Sequence, residues 1–207
     1  MDTIEKFLNQ VPVVPVLSIT DQKVAVPLAQ ALVAGGLPVL EITLRTPVAL
    51  ASAQAIAKAV PEAIVGVGTC VKPNQVQAAA DVGAQFIVTP GTTDRLMAAA
   101  HAARMPLLPG VSTASEIIRA QEGGYTVLKF FPAQAAGGLN ALKAFAGPFP
   151  DVLFCPTGWI SRDNASEYLK QNNVICVGGS WFSPAESVHA CDWQAIQRLA
   201  EAASTLK

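Results

Sequence analysis

At 207 residues, with 51% hydrophobic and 14% charged side chains and a formal net charge of −1, the chain has the size and apolar content of one domain with a substantial core. This balance excludes the basic excess that drives nucleic-acid binding, and no uninterrupted apolar stretch is long enough to span a bilayer. Met1-Asp2-Thr3-Ile4-Glu5-Lys6 is not a secretory leader, and Cys70, Cys155, Cys176 and Cys191 form no Cys-x-x-Cys, so a soluble, cytoplasmic protein with reduced and mostly buried thiols is expected.

The expected elements alternate along the chain. A short leading helix at 2–10 precedes a first strand at 13–17. Asp21 can cap the next helix, which runs to the glycine stop Gly35-Gly36. A second strand covers 38–43, and Thr46-Pro47 opens an Ala-rich helix that ends near Pro61. Further strands are expected at 64–68, 85–88, 106–108, 126–131, 152–155 and 174–177, with helices at 74–81, 93–102, 114–122, 138–145 and 161–170. A last helix runs from Asp192 to the end. Each repeating unit is roughly 20–26 residues, and the strands are continuous apolar runs, which argues a parallel sheet covered on both faces by crossover helices. The expected fold is α/β: a single (β/α)8 TIM barrel spanning 1–207 with an extra N-terminal helix. The alternative is an open doubly wound sheet, against which no Gly-x-Gly-x-x-Gly follows the first strand.

One strand carries a residue out of place. Thr126-Val127-Leu128-Lys129-Phe130-Phe131-Pro132 is apolar except for a lysine in its middle. Lys129 is either an edge or snorkelling lysine, or an amine held in apolar walls, where its pKa falls from about 10.4 toward ~7–8 and it attacks a carbonyl carbon. In a barrel, function collects at the C-terminal strand ends. There Glu41, Thr43 and Arg45 share one face of the second strand, while Leu40, Ile42 and Leu44 face the helices. Glu41 can move protons and Arg45 can clamp a carboxylate, which with Lys129 is the set a Schiff-base enzyme needs. The competing reading is a buried Glu41–Lys129 ion pair that only holds the barrel together. The ends Pro156-Thr157-Gly158 and Gly178-Gly179-Ser180 suit an anion such as phosphate, or else make tight turns and nothing more. His101 and His189 have no ligand spacing around them, so no metal is expected.

The chain resembles the 2-keto-3-deoxy-6-phosphogluconate (KDPG) and 4-hydroxy-2-oxoglutarate (KHG) aldolases nearly end to end. The resemblance is carried by Ala31-Leu32-Val33-Ala34-Gly35-Gly36, Leu40-Glu41-Ile42-Thr43-Leu44-Arg45-Thr46 and Val65-Gly66-Val67-Gly68-Thr69. It continues through Thr89-Pro90-Gly91, Leu108-Pro109-Gly110-Val111-Ser112-Thr113, Lys129-Phe130-Phe131-Pro132-Ala133, Phe154-Cys155-Pro156-Thr157-Gly158 and Val177-Gly178-Gly179-Ser180-Trp181. It implies a trimeric class I aldolase that uses a covalent lysine imine and no cofactor or metal. It also implies Lys129 as the imine-forming lysine, Glu41 as acid and base, Arg45 and Thr69 as holders of the pyruvate unit, Pro90 and Phe131 as pocket walls, and Gly158 and Ser180 as phosphate contacts. The reaction implied is cleavage of a 4-hydroxy-2-keto acid to pyruvate and an aldehyde, with oxaloacetate decarboxylation as a side activity.

One residue departs from the family pattern: Trp159 stands where a second glycine is usual. An inward indole would occupy the phosphate space and favour unphosphorylated substrates. An outward one would leave the backbone N–H in service. Two other readings stay open: a phosphate-binding barrel isomerase or decarboxylase that forms no imine, and a non-catalytic keto-acid binding protein.

Overall fold

The structure is a computed structural model that describes residues 3–206. Parallel strands alternate with helices and curl into a TIM-barrel-like α/β fold. The strands are β1 (Val13–Leu17), β2 (Val39–Thr43), β3 (Ile64–Gly68), β4 (Phe86–Val88), β5 (Leu107–Leu108), β6 (Gly110–Val111), β7 (Val127–Phe130), β8 (Leu153–Pro156) and β9 (Val177–Gly179). The helices are α1 (Thr3–Leu8), α2 (Ala25–Ala34), α3 (Ala49–Ala59), α4 (Pro73–Asp81), α5 (Asp94–Ala102), α6 (Ala114–Glu122), α7 (Gly138–Ala146), α8 (Ala165–Leu169), α9 (Ala185–His189) and α10 (Trp193–Ser204). Six strands pair in the order β5-β4-β3-β2-β1-β9 and three in the order β6-β7-β8.

Several expectations are corrected. The fifth strand is two short ones, because Pro109 has no N–H to continue a ladder. Leu107 and Leu108 pair with β4, while Gly110 and Val111 pair with β7. The expected strand at 174–177 shifts to Val177–Gly179. Ile175 donates its N–H to Phe154 O (3.0 Å), whereas Val177, Gly178 and Gly179 align with Val13, Val14 and Pro15 of β1. The segment thus passes from β8 to β1, with a further bridge between Thr157 and Gly178. The helix expected at 161–170 starts at Ala165, because Asn164 closes the preceding turn: its Oδ1 accepts from Ser161 N–H (2.9 Å) and its Nδ2 donates to Trp159 O (3.1 Å). Helix α3 begins at Ala49, after a turn made by Thr46-Pro47. Asp21 caps a 3-10 turn at Gln22–Val24 that leads into α2. Helix α9 was not expected: it is short, follows Pro184 and buries none of its residues. Asp2 and Lys207, at the edges of the first and last expected helices, lie outside the described residues.

The alternation of β7 fixes where its lysine points. Phe130 packs toward the helices, edge-on to Phe145 of α7 and to Phe154 of β8, with ring centroids 5.9 and 6.3 Å apart. Its neighbour Lys129 therefore faces the opposite side of the sheet. Among the described residues, no helix is long and apolar enough to cross a membrane.

Candidate active site

Glu41 sits in the middle of β2, where every residue is buried. In register it lies beside Gly66 of β3, and its side chain leans over Gly68. That close approach requires glycine: a methyl on Gly68 would stand 2.6 Å from Glu41 Cγ and 2.7 Å from Cδ, and would run into the carboxylate oxygen. The space left free lets the carboxylate reach across the sheet interior to β7. There Lys129 Nζ donates to Glu41 Oε1 at 3.0 Å and to Oε2 at 3.1 Å. Glu41 is 3% and Lys129 4% exposed. The Phe131 ring centroid lies 5.5 Å from Nζ. Lys129 is therefore neither an edge nor a snorkelling lysine. Without substrate the two groups form a buried, charge-assisted pair.

The expected face of β2 divides in two. Thr43 does not reach the mouth with a free hydroxyl: it donates to Leu17 O (2.9 Å) and so accepts from Ser18 Oγ (2.8 Å), tying β1 to β2. Arg45, past the strand end and exposed, donates from Nε to Thr69 Oγ1 at 3.2 Å. Thr69 holds that position in a left-handed turn at φ +59°.

A cavity of about 400 Å³ opens at the strand ends, lined by Phe131 but by neither Lys129 nor Glu41. Five of the nine expected site residues line it: Arg45, Phe131, Gly158, Trp159 and Ser180. Phe131, 5.5 Å from Lys129 Nζ, is the lining residue that links the cavity to the buried pair. Pro90 does not line the cavity; its backbone packs against Gly110, the residue of β6 in register with Lys129. Ser18 and Ser183 line the cavity and were not expected there. Ser18 follows β1, so the strand-end rule applied to the first strand was signal enough for it. Ser183 lies in the connection before the unexpected helix α9 and had no such signal.

Trp159 adopts the left-handed conformation, φ +57°, which costs a non-glycine residue about 1–2 kcal/mol. Its indole is 80% exposed at the cavity rim and does not fill the cavity. Among the described residues, the backbone N–H groups of Gly158, Trp159 and Ser180 donate to no protein acceptor. They form a set of free donors at the mouth, suited to an anion. No cluster of three or more His, Cys, Asp or Glu side chains arranged for a metal occurs among the described residues. The buried Cys70 has its thiol pushed up to about 12 by burial and then by the Glu41 charge, so it stays protonated.

Comparison with known proteins agrees with this geometry. The family model for KDPG and KHG aldolase matches residues 4–199. A 2-dehydro-3-deoxy-phosphogluconate aldolase from Pseudoalteromonas atlantica is 52% identical, over 96% of this chain and 93% of its own length. The KHG/KDPG aldolase of Escherichia coli is 50% identical over the same shares. A crystal structure of the KDPG aldolase of Legionella pneumophila, with pyruvate captured as a covalent carbinolamine intermediate, superposes with a TM-score of 0.95 at 44% identity, covering 97% of this chain and 98% of that one. With an amine and a carboxylate paired beneath an open mouth, and a family match over nearly its whole length, the chain belongs to the KDPG and KHG aldolase family.

Proposed function

We propose that the protein is a class I aldolase that cleaves a 4-hydroxy-2-keto acid, KDPG or KHG, to pyruvate and an aldehyde, glyceraldehyde 3-phosphate or glyoxylate respectively. The observation that carries this reading is the buried Lys129–Glu41 contact at 3.0 Å under an open, arginine-bearing mouth. The chemistry is that of a covalent lysine imine and needs no external cofactor.

The geometry suggests a division of labour. Lys129 hands a proton to Glu41 and attacks the C2 ketone. Glu41 returns protons as the carbinolamine loses water. With Nε held by Thr69, the remaining N–H fork of Arg45 is the part that engages the substrate carboxylate. The iminium draws electrons from C3. The C3–C4 bond breaks as the C4 hydroxyl loses its proton, and the aldehyde leaves. The pyruvate enamine is then protonated at C3 and hydrolysed. The same electron sink accepts electrons from a departing CO₂, so oxaloacetate decarboxylation is expected as a slower activity. Phe131 and Pro90 serve as pocket walls, and the free N–H groups of Gly158, Trp159 and Ser180 meet the distal anion of the substrate. The exposed indole leaves the mouth open to substrate.

The hydrogen bonds from β8 to the segment that leads into β9, the bridge from Thr157 to Gly178 and the division of a strand at Pro109 support one closed (β/α)8 barrel over the whole chain, with α1 as the extra N-terminal helix. The family resemblance supports a homotrimer, and the scattered thiols a cytoplasmic setting. Steady-state assay of Lys129→Ala and Lys129→Arg tests the central role. Neither side chain forms an imine under these conditions, so retro-aldol turnover falls to background in both. Substantial turnover in either rejects Lys129 as nucleophile.

A further inference from the structure

Among the described residues three large apolar side chains are exposed, and Trp159 is the most so at 80%, against 51% for Val71 and 49% for Ile118. Its indole packs into no core. Its backbone is nonetheless held in place, because Trp159 O accepts from Asn164 Nδ2 while Asn164 Oδ1 accepts from Ser161 N–H. The turn that carries this large flat ring is thus held at the rim of the cavity.

One wall between the Lys129 amine and the turn is apolar. The Phe131 ring lies 5.5 Å from Lys129 Nζ and lines the cavity. Gly158 rests on the same ring: the place where its Cβ would stand is 3.4 Å from Phe131 Cδ2. No side chain of residue 158 therefore intervenes between Phe131 and the turn that carries Trp159. Ile160 continues the cavity wall on the β8 side, whereas Ser180 and Ser183 line it on the β9 side. A keto acid joined through C2 to Nζ sends C3 and C4 outward. Its C4 substituent then passes Phe131 toward the turn that carries Trp159.

We propose that Trp159 is a specificity-determining residue: with Phe131 it forms an aromatic wall that takes 4-hydroxy-2-keto acids bearing a flat aromatic group at C4. The inference rests on the aldolase reading above and names a substrate class for that site. The step is the ordinary retro-aldol. The C3–C4 bond breaks, the C4 hydroxyl proton passes to a base, an aromatic aldehyde leaves, and the lysine-bound enamine takes a proton at C3 before hydrolysis frees pyruvate. Offset or edge contact with the indole face favours an aromatic substituent over a carboxylate of similar reach.

The test is kcat/KM of the full chain on 4-hydroxy-2-oxo-4-phenylbutanoate and on 4-hydroxy-2-oxoglutarate, followed by pyruvate release. Trp159→Gly removes the ring and suits the left-handed backbone. It is expected to lower the phenyl-to-carboxylate ratio of kcat/KM about tenfold, while Trp159→Phe, which keeps an aromatic face, holds the ratio within about threefold of the parent. An unchanged ratio in Trp159→Gly overturns the proposal. So does cleavage of 4-hydroxy-2-oxoglutarate by the parent without cleavage of the phenyl substrate. Failure on both substrates, with no borohydride-trapped pyruvate adduct, instead overturns the aldolase reading and takes this inference with it.

Discussion

The free space over Gly68 makes a sharp prediction. In Gly68→Ala the new methyl would meet Glu41 at 2.6 Å from Cγ and 2.7 Å from Cδ, and would overlap the carboxylate. Something has to move, and the backbone of β3 is held on both sides by β2 and β4. The carboxylate is the end that yields, but it is 3% exposed and bound by Lys129 through both oxygens. Overpacking by one methyl costs about 1–3 kcal/mol. If the carboxylate is driven off Lys129 altogether, the loss approaches the about 3–5 kcal/mol of a broken buried pair. Gly68 does not lie in the left-handed region, so none of this cost comes from backbone strain. Urea unfolding should place the variant about 2–4 kcal/mol below the parent with an unchanged m-value. With the proton shuttle displaced, kcat/KM for retro-aldol cleavage should fall by about 100-fold or more. Gly147→Ala is the matched control, since a Cβ there meets nothing within 4 Å; its stability should lie within about 0.5 kcal/mol of the parent. A Gly68→Ala protein with parental stability and turnover would refute the placement of Glu41.

Two further predictions concern titratable groups other than Lys129 and Glu41. Burial alone would raise the Glu116 carboxyl, but hydrogen bonds from the backbone and side chains of Ser112 and Thr113 outweigh it and hold the group below its usual 4.5. The bonds that cap α6 are therefore present above about pH 4.5 and are lost as the pH falls through the lower folded value. Glu116→Ala should cost about 1 kcal/mol near neutral pH, and the gap to the parent should close as acid unfolding begins. For the thiols, Cys70 is pushed up to about 12, and Cys176 is raised by its hydrogen bond with Cys155 and by burial. Cys191 alone among the four is exposed. Iodoacetamide at pH 8 should add one group to the native protein, at Cys191, and four after denaturation. Rapid native labelling of Cys70 would contradict its burial.

The repeat of strand and helix was legible because short apolar runs alternate with start and stop signals such as Asp21, Gly35-Gly36 and Thr46-Pro47. Lys129 and Glu41 were legible for the opposite reason, as charges on strands that otherwise hold apolar residues. The departures have local causes. Pro109 divides one strand between two neighbours, and Asn164 delays a helix through side-chain hydrogen bonds that no hydrophobic period records. Helix α9 carries no buried stripe, so it left no periodic signal. Thr43 shared the right face of β2, but its hydroxyl is taken up by Leu17 O and Ser18, a pairing between strands that alternation along one strand does not reveal. The choice between an inward and an outward indole at Trp159 depended on a side-chain direction in a left-handed turn. The outward arrangement, 80% exposed, is the one adopted.

The central claim is that Lys129 forms an imine with a 2-keto acid. The most direct measurement is intact-mass spectrometry after incubation with pyruvate and borohydride, followed by peptide mapping. The account predicts one reduced pyruvate adduct per chain, located on Lys129 and absent from Lys129→Arg. An adduct on another lysine, or none in a folded protein, would contradict it.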